Sequence, residues 1–223
     1  MRSSLLCGLL ILAVSPAIHA SPYDDLISTD APIARWSFEN GEQGTAFETV
    51  PRGKPTFDEA GPRPSEYPDF APQNKAARFA RGANYLAVPD PGEDSPLDFG
   101  LGDSLTLEAW VRIDGNLSGG YPYIVGKGRT HQAGTRPTNQ NYALRLAPSS
   151  GGTAISFFFA DADCATKKSN DFGDDGHRWT STSFVPDDGG WHHVAVTYTF
   201  GQKDSLKGYI DGEPVPGKWD MGG

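Results

Sequence analysis

Leu105-Thr106-Leu107-Glu108-Ala109-Trp110-Val111-Arg112-Ile113 decides the fold class. Its apolar residues recur at every second position, so successive side chains point to opposite faces and one face is buried, as in a half-buried β-strand. Runs of the same kind lie on both sides of it: Ile33 to Phe38, Ala77 to Phe79, Tyr85 to Val88, Tyr142 to Leu146, Ala154 to Phe159 and His193 to Phe200. No window of about twelve residues carries helical spacing without an interrupting Pro or Gly. With 27 Gly and 18 Pro, the chain has the turns that many short strands need. Short β-rich runs without intervening helices predict an all-β fold, an antiparallel β-sandwich with jelly-roll topology. Its expected core holds Trp36, Phe79, Trp110, Val111, Leu144, Phe158, Val194, Val196 and Tyr198. Asp211-Gly212, between Leu206 to Ile210 and Glu213 to Val215, predicts a tight hairpin, because the turn needs positive φ. The polar segments from about Thr49 to Gln73 and from Gly126 to Gln140 are expected to be long loops, where binding usually resides on a rigid sheet.

Outside the strands, residues 1–20 combine Arg2, the apolar stretch Leu5 to Val14, Pro16 and the small Ala20. That layout predicts a secretory signal cleaved after Ala20, because about ten apolar residues fall short of the roughly 20 that a spanning helix needs. The expected location is therefore secreted, periplasmic or cell surface. Residues 21–31 are expected to be an N-terminal linker, and 32–223 one domain, a usual size for a single sandwich. Cys7 leaves with the signal, so Cys164 stands alone and no intrachain disulfide is expected. The formal net charge of −9, one unit more negative without Arg2, argues against nucleic acid and anionic membranes as partners. A neutral or cationic partner fits that balance better.

The strand order and wording resemble the laminin G-like jelly-roll domains of the concanavalin A-like lectin/glucanase superfamily. The resemblance is carried by Leu105 to Val111, by Gly190-Trp191-His192-His193-Val194-Ala195-Val196-Thr197-Tyr198 and by Gly208-Tyr209-Ile210-Asp211-Gly212, and spans roughly Pro32 to Trp219. Ile33 to Glu39 is similar to the family's first strand, and Ala77 to Pro89 to its second block, with Ala80 and Arg81 where relatives commonly carry an Asp. Relatives usually close with a further strand pair beside the first strand. None follows Gly223, so the domain is expected to be C-terminally incomplete and the Trp36 strand to lack its neighbour. The resemblance implies a module that recognises carbohydrate or a surface protein, with calcium held at the rim in some relatives, and no enzymatic activity.

Oxygen-rich residues fall together after the Phe157 to Phe159 run. Asp161 and Asp163 are the candidate calcium ligands, because a hard cation takes six to eight oxygens. Asp171, Asp174, His177, Arg178 and Trp179 form the candidate ligand-binding rim, with Tyr121, Tyr123, His131, Arg136, Asn139 and Asn141 as further loop candidates that could stack on a sugar or bond its hydroxyls. His192 and His193 are adjacent on a strand and cannot share one metal ion. Two other readings compete with recognition. One is a purely structural module within a larger exported protein. The other is a GDSL-like serine esterase built from Ser104, Asp174 and His177, but Ser104 opens a strand where those enzymes need a strand-turn-helix. Glu108 lacks the paired carboxylate that glycoside hydrolysis needs, since Trp110 and Ile113 stand at the spaced positions.

Overall fold

The structure is a computed structural model that describes residues 20–39, 41, 44, 47–90, 92, 94–115, 117, 120–128, 140–161 and 176–222. Two small antiparallel pairs come first: β1 (Val50–Arg52) with β4 (Tyr85–Ala87), and β2 (Thr56–Ala60) with β3 (Lys75–Arg78). Two larger sheets follow. The first joins β5 (Ser104–Val111), β10 (His192–Thr199), β11 (Lys207–Ile210) and β12 (Glu213–Val215) in the order β12-β11-β10-β5. The second joins β6 (Tyr123–Gly128), β7 (Gln140–Ser149), β8 (Gly152–Ala160), β9 (Gly176–Val185) and β13 (Gly217–Met221) in the order β13-β9-β8-β7-β6. Every pairing in both is antiparallel, and the two sheets form the expected jelly-roll sandwich.

Register assigns the faces. Val194, Val196 and Tyr198 oppose Ala109, Leu107 and Leu105, while Leu144 opposes Phe157 and Phe157 opposes Trp179. These side chains form one cluster between the sheets, with Leu144, Ile155, Phe157, Val194 and Val196 fully buried. Each contributes on the order of 1.5–3 kcal/mol by leaving water. Trp179 is the broadest of the cluster, and two strands must be bare to admit it. A Cβ at Gly208 would stand 2.5 Å from its ring, and one at Gly217 2.1 Å. The predicted hairpin is present, with Asp211 and Gly212 both at positive φ (52° and 80°).

Several expectations are corrected. Ile33 to Phe38 forms no strand; Phe38 lies at φ 62°, which ends any ladder there, and Trp36 instead donates to Thr49 Oγ1 at 2.9 Å. The segment from Thr49 to Gln73 is not wholly loop, since it contains β1 and β2, and β6 runs through Gly128. Phe79 is 43% exposed: it follows the end of β3, and its ring meets that of Phe38 edge to face at 6.5 Å. Trp110 and Phe158 do lie on strands but point away from the inter-sheet cluster: Trp110 opposes the outward His193, and Phe158 the outward Arg178.

Helix α1 (Pro22–Asp30) carries no apolar stripe, and none of its residues is buried. A capping box starts it: Ser21 Oγ accepts from Asp24 N–H at 3.2 Å, the Asp24 carboxylate accepts from Ser21 N–H, and Pro22 occupies the first turn. Packing then holds a helix too short to persist alone. Tyr23 stacks on Phe70 at 4.2 Å and accepts from Trp110 Nε1 at 3.2 Å, and Tyr67 and Phe70 set their edges on Trp110. The N-terminal segment thus covers the outer face of β5.

Candidate functional site

The outer face of the five-stranded sheet gathers an unusual set of side chains. Alternation in β7 sends Leu144 and Leu146 inward and Arg145 outward; in β8 Phe158 and Ser156 follow it, and in β9 Arg178 and Thr180. Tyr123 opposes Arg145 across the β6–β7 ladder, and Tyr121 lies two residues earlier.

Arg145 is 4% exposed although it is a cation. Its guanidinium lies 4.5 Å from the ring centre of Tyr121, 4.6 Å from Phe158 and 5.7 Å from Tyr123, and it donates to Ser156 Oγ at 3.2 Å. Aromatic faces are negative, so they offset part of the cost of burying the charge. Two things remain unbalanced. Among the described residues no carboxylate pairs with Arg145, and its Nε has no hydrogen-bond partner. Burial accordingly lowers its proton affinity, opposed by the two tyrosines.

Arg178 contrasts with it. Its Nε donates to Asp220 Oδ1 at 2.5 Å and its Nη1 to the Tyr121 hydroxyl at 3.3 Å, while Thr180 donates to Asp220 Oδ2 at 3.0 Å. Burial would lower the Arg178 pKa, but the Asp220 carboxylate outweighs it and leaves it raised. The Tyr121 ring therefore lies between two guanidinium groups, at 4.5 and 5.5 Å, while Tyr121 and Tyr123 each remain 43% exposed. Exposed rings with planar hydrogen-bonding groups beside them suit a polar ligand that also offers a flat apolar face.

The expected rim residues separate on this frame. Arg178 and Tyr121 join the set, and Tyr123 with them, although Arg178 and Tyr123 lie on strands rather than loops. Trp179 does not belong to it: it is 5% exposed and points into the core, because it opposes Phe157. His177, also on β9 rather than a loop, stacks on Phe159 at 4.6 Å with Asp161 3.8 Å from its Nε2. Asn141 lies on β7. Asp163, Asp171, Asp174, His131, Arg136 and Asn139 lie outside the described residues. Among the described residues no three His, Cys, Asp or Glu side chains gather as a metal site, so these residues alone do not make up a calcium ligand set. Ser104 and His177 stand on different sheets, and the Ser104 hydroxyl bonds Thr199 Oγ1 at 2.8 Å. Arg145 and Asp220 are among none of the expected site residues, and Phe158, expected in the core, belongs to this face instead. The signal for Arg145 was legible, however: an Arg between two inward leucines must point outward, on the face that Tyr121 and Tyr123 share at spacing two.

A family model described as the concanavalin A-like lectin/glucanases superfamily matches residues 81–222, both large sheets entire. The chain belongs to this superfamily. The matched stretch contains the whole of the outer-face set, whereas α1 and the covering residues Tyr67 and Phe70 precede it. Membership supports a module that binds carbohydrate or protein. No curated protein and no solved structure matches the chain. Among the described residues no helix is long and apolar enough to cross a membrane.

Proposed function

We propose that the chain is an exported carbohydrate-recognition module that binds its ligand on the outer face of the five-stranded sheet, across Tyr121 and Tyr123. One observation carries the reading: two tyrosines, 43% exposed each, lie over Arg145 on a rigid sheet, and Tyr121 also accepts from Arg178, the partner of Asp220. Pyranose rings have an apolar face to stack on an aromatic ring and hydroxyls that planar guanidinium and carboxylate groups bond in pairs. Export rests on the layout of residues 2–20, and predicts that the protein recovered outside the cytoplasm starts at Ser21.

Thermal unfolding against a panel of soluble oligosaccharides tests the site, because a ligand that prefers the folded state raises the midpoint. A glycan-dependent rise that Tyr121→Ala and Tyr123→Ala both abolish is expected. If no glycan shifts the midpoint, recognition of sugar falls and the architectural alternative takes its place. The same titration with calcium and with chelator tests calcium assistance at Asp161 and Asp163; a chelator-insensitive midpoint removes it.

A further inference from the structure

We propose that the ligand of this face is an anionic saccharide, with its carboxylate or sulfate group drawn by Arg145 and Arg178; the inference rests on the outer face being the glycan site. Among the described residues the set holds two guanidinium groups and one carboxylate, Asp220, an excess of positive charge in a chain whose formal net charge is −9. Asp220 is engaged twice, by Arg178 and by Thr180, and neutralises one cation only. The other cation is Arg145, nine-tenths and more buried; among the described residues its Nε has no hydrogen-bond partner and no carboxylate stands beside it.

An uncompensated buried charge is costly to keep, and cores ordinarily pair it or replace it with an apolar side chain. Here it stands beneath the rings of Tyr121 and Tyr123, each 43% exposed. A saccharide lying along Tyr121 and Tyr123 places an anionic substituent within reach of Arg178 and within the field of Arg145, acting across a single aromatic ring. In surroundings of low dielectric constant that field is screened far less than at an open surface. The rest of the acidic chain repels long polyanions, which favours short oligosaccharides or a single charged unit.

Isothermal titration of the full chain with trigalacturonate, a sulfated chondroitin disaccharide and neutral maltotriose tests the proposal. The expected result is binding of at least one anionic sugar and much weaker binding of maltotriose. A preference for trigalacturonate identifies a carboxylate ligand, and a preference for the chondroitin disaccharide a sulfate. R178Q and R145M each weaken the anionic ligand, by about tenfold for the direct contact. D220N acts in the opposite direction, because it frees Arg178 and removes a repelling charge, and tightens binding several-fold. That gain cannot come from a misfolded protein, so it decides the matter even if R145M fails to fold. Maltotriose binding as tightly as the anionic sugars, or D220N weakening them, overturns the anionic assignment while leaving glycan recognition standing. Binding of none of the three, nor of any neutral glycan, overturns both.

Discussion

The two outer faces of the sandwich are built from the same alternation and treated in opposite ways. On the four-stranded sheet, Trp110 is closed over by Tyr23, Tyr67 and Phe70, and Phe70 is 7% exposed. On the five-stranded sheet the outward residues are Arg145, Arg178 and Phe158, and the rings over them remain 43% exposed. One face is a second small core, satisfied by aromatic packing; the other holds a buried cation that no carboxylate among the described residues balances. Evidence for binding therefore comes from unbalanced chemistry rather than from the number of aromatic residues, which both faces share.

Truncation separates the faces most strongly. Phe70→Ala is expected to cost about 3–5 kcal/mol, since it empties the centre of the covering cluster. Tyr121→Ala is expected to cost less than about 1 kcal/mol, as an exposed ring over a cation. Urea unfolding gives both values, and hydrogen exchange in α1 shows whether Phe70→Ala also frees the helix. Similar costs at the two positions would break the contrast.

Most of the sandwich could be read from the chain because period-two alternation and the Asp211-Gly212 turn are local properties. Leu105 to Val111 and His193 to Tyr198 form ladder partners as their patterns demand. What alternation cannot say is which face meets the other sheet and what covers the remaining one. Trp110 and Phe158 look like core residues because they are large and lie in apolar runs, yet the register turns both outward. Trp179 follows His177 and Arg178, and looked like part of a polar rim. Its place is fixed by Gly208 and Gly217, 29 and 38 residues away in sequence, where the chain is bare enough to admit an indole. The outward direction of Arg145 follows from the alternation, but its burial does not, because a lone Arg in a strand normally reaches solvent and here the surrounding rings bury it.

A pH dependence sharpens the contrast at the end of β10, where a buried charge is fully paired. His192 Nδ1 lies 2.8 Å from Asp211 Oδ2 and its Nε2 3.0 Å from Asp188 Oδ1. Burial lowers the His192 pKa, but the two carboxylates outweigh it and leave it raised. Folding thus favours the protonated ring. Its contribution is complete below the unfolded value of about 6.5 and is lost as pH rises through the higher folded value. Asp188 behaves conversely: the Gly190 N–H and then His192 lower its pKa, so its share holds above an unfolded value of about 3.9 and is lost as pH falls through the folded one. His192→Gln is expected to cost about 1.5–3 kcal/mol between those limits, the range for hydrogen bonds to charged groups. Denaturant titrations of both proteins should converge in stability at alkaline pH; a gap that stays constant with pH would show that His192 acts by packing alone.

The smallest effect on stability is expected at Arg145. Removing one partner of a buried ion pair is usually expensive because it strands the other charge, but Arg145 has no opposite charge to strand among the described residues. Arg145→Met keeps the length and the apolar stem between Tyr121, Tyr123 and Phe158, removes a desolvated cation with an unsatisfied Nε, and gives up the bond to Ser156. The gains and losses are of similar size, so stability should stay within about 1 kcal/mol of the parent in a urea titration. A loss of 3 kcal/mol or more, as the Phe70 side would show, would mean that the cation is a structural pillar and that its burial needs no ligand to explain it. Unchanged stability together with weakened anion binding would show that the charge is kept for what the face binds.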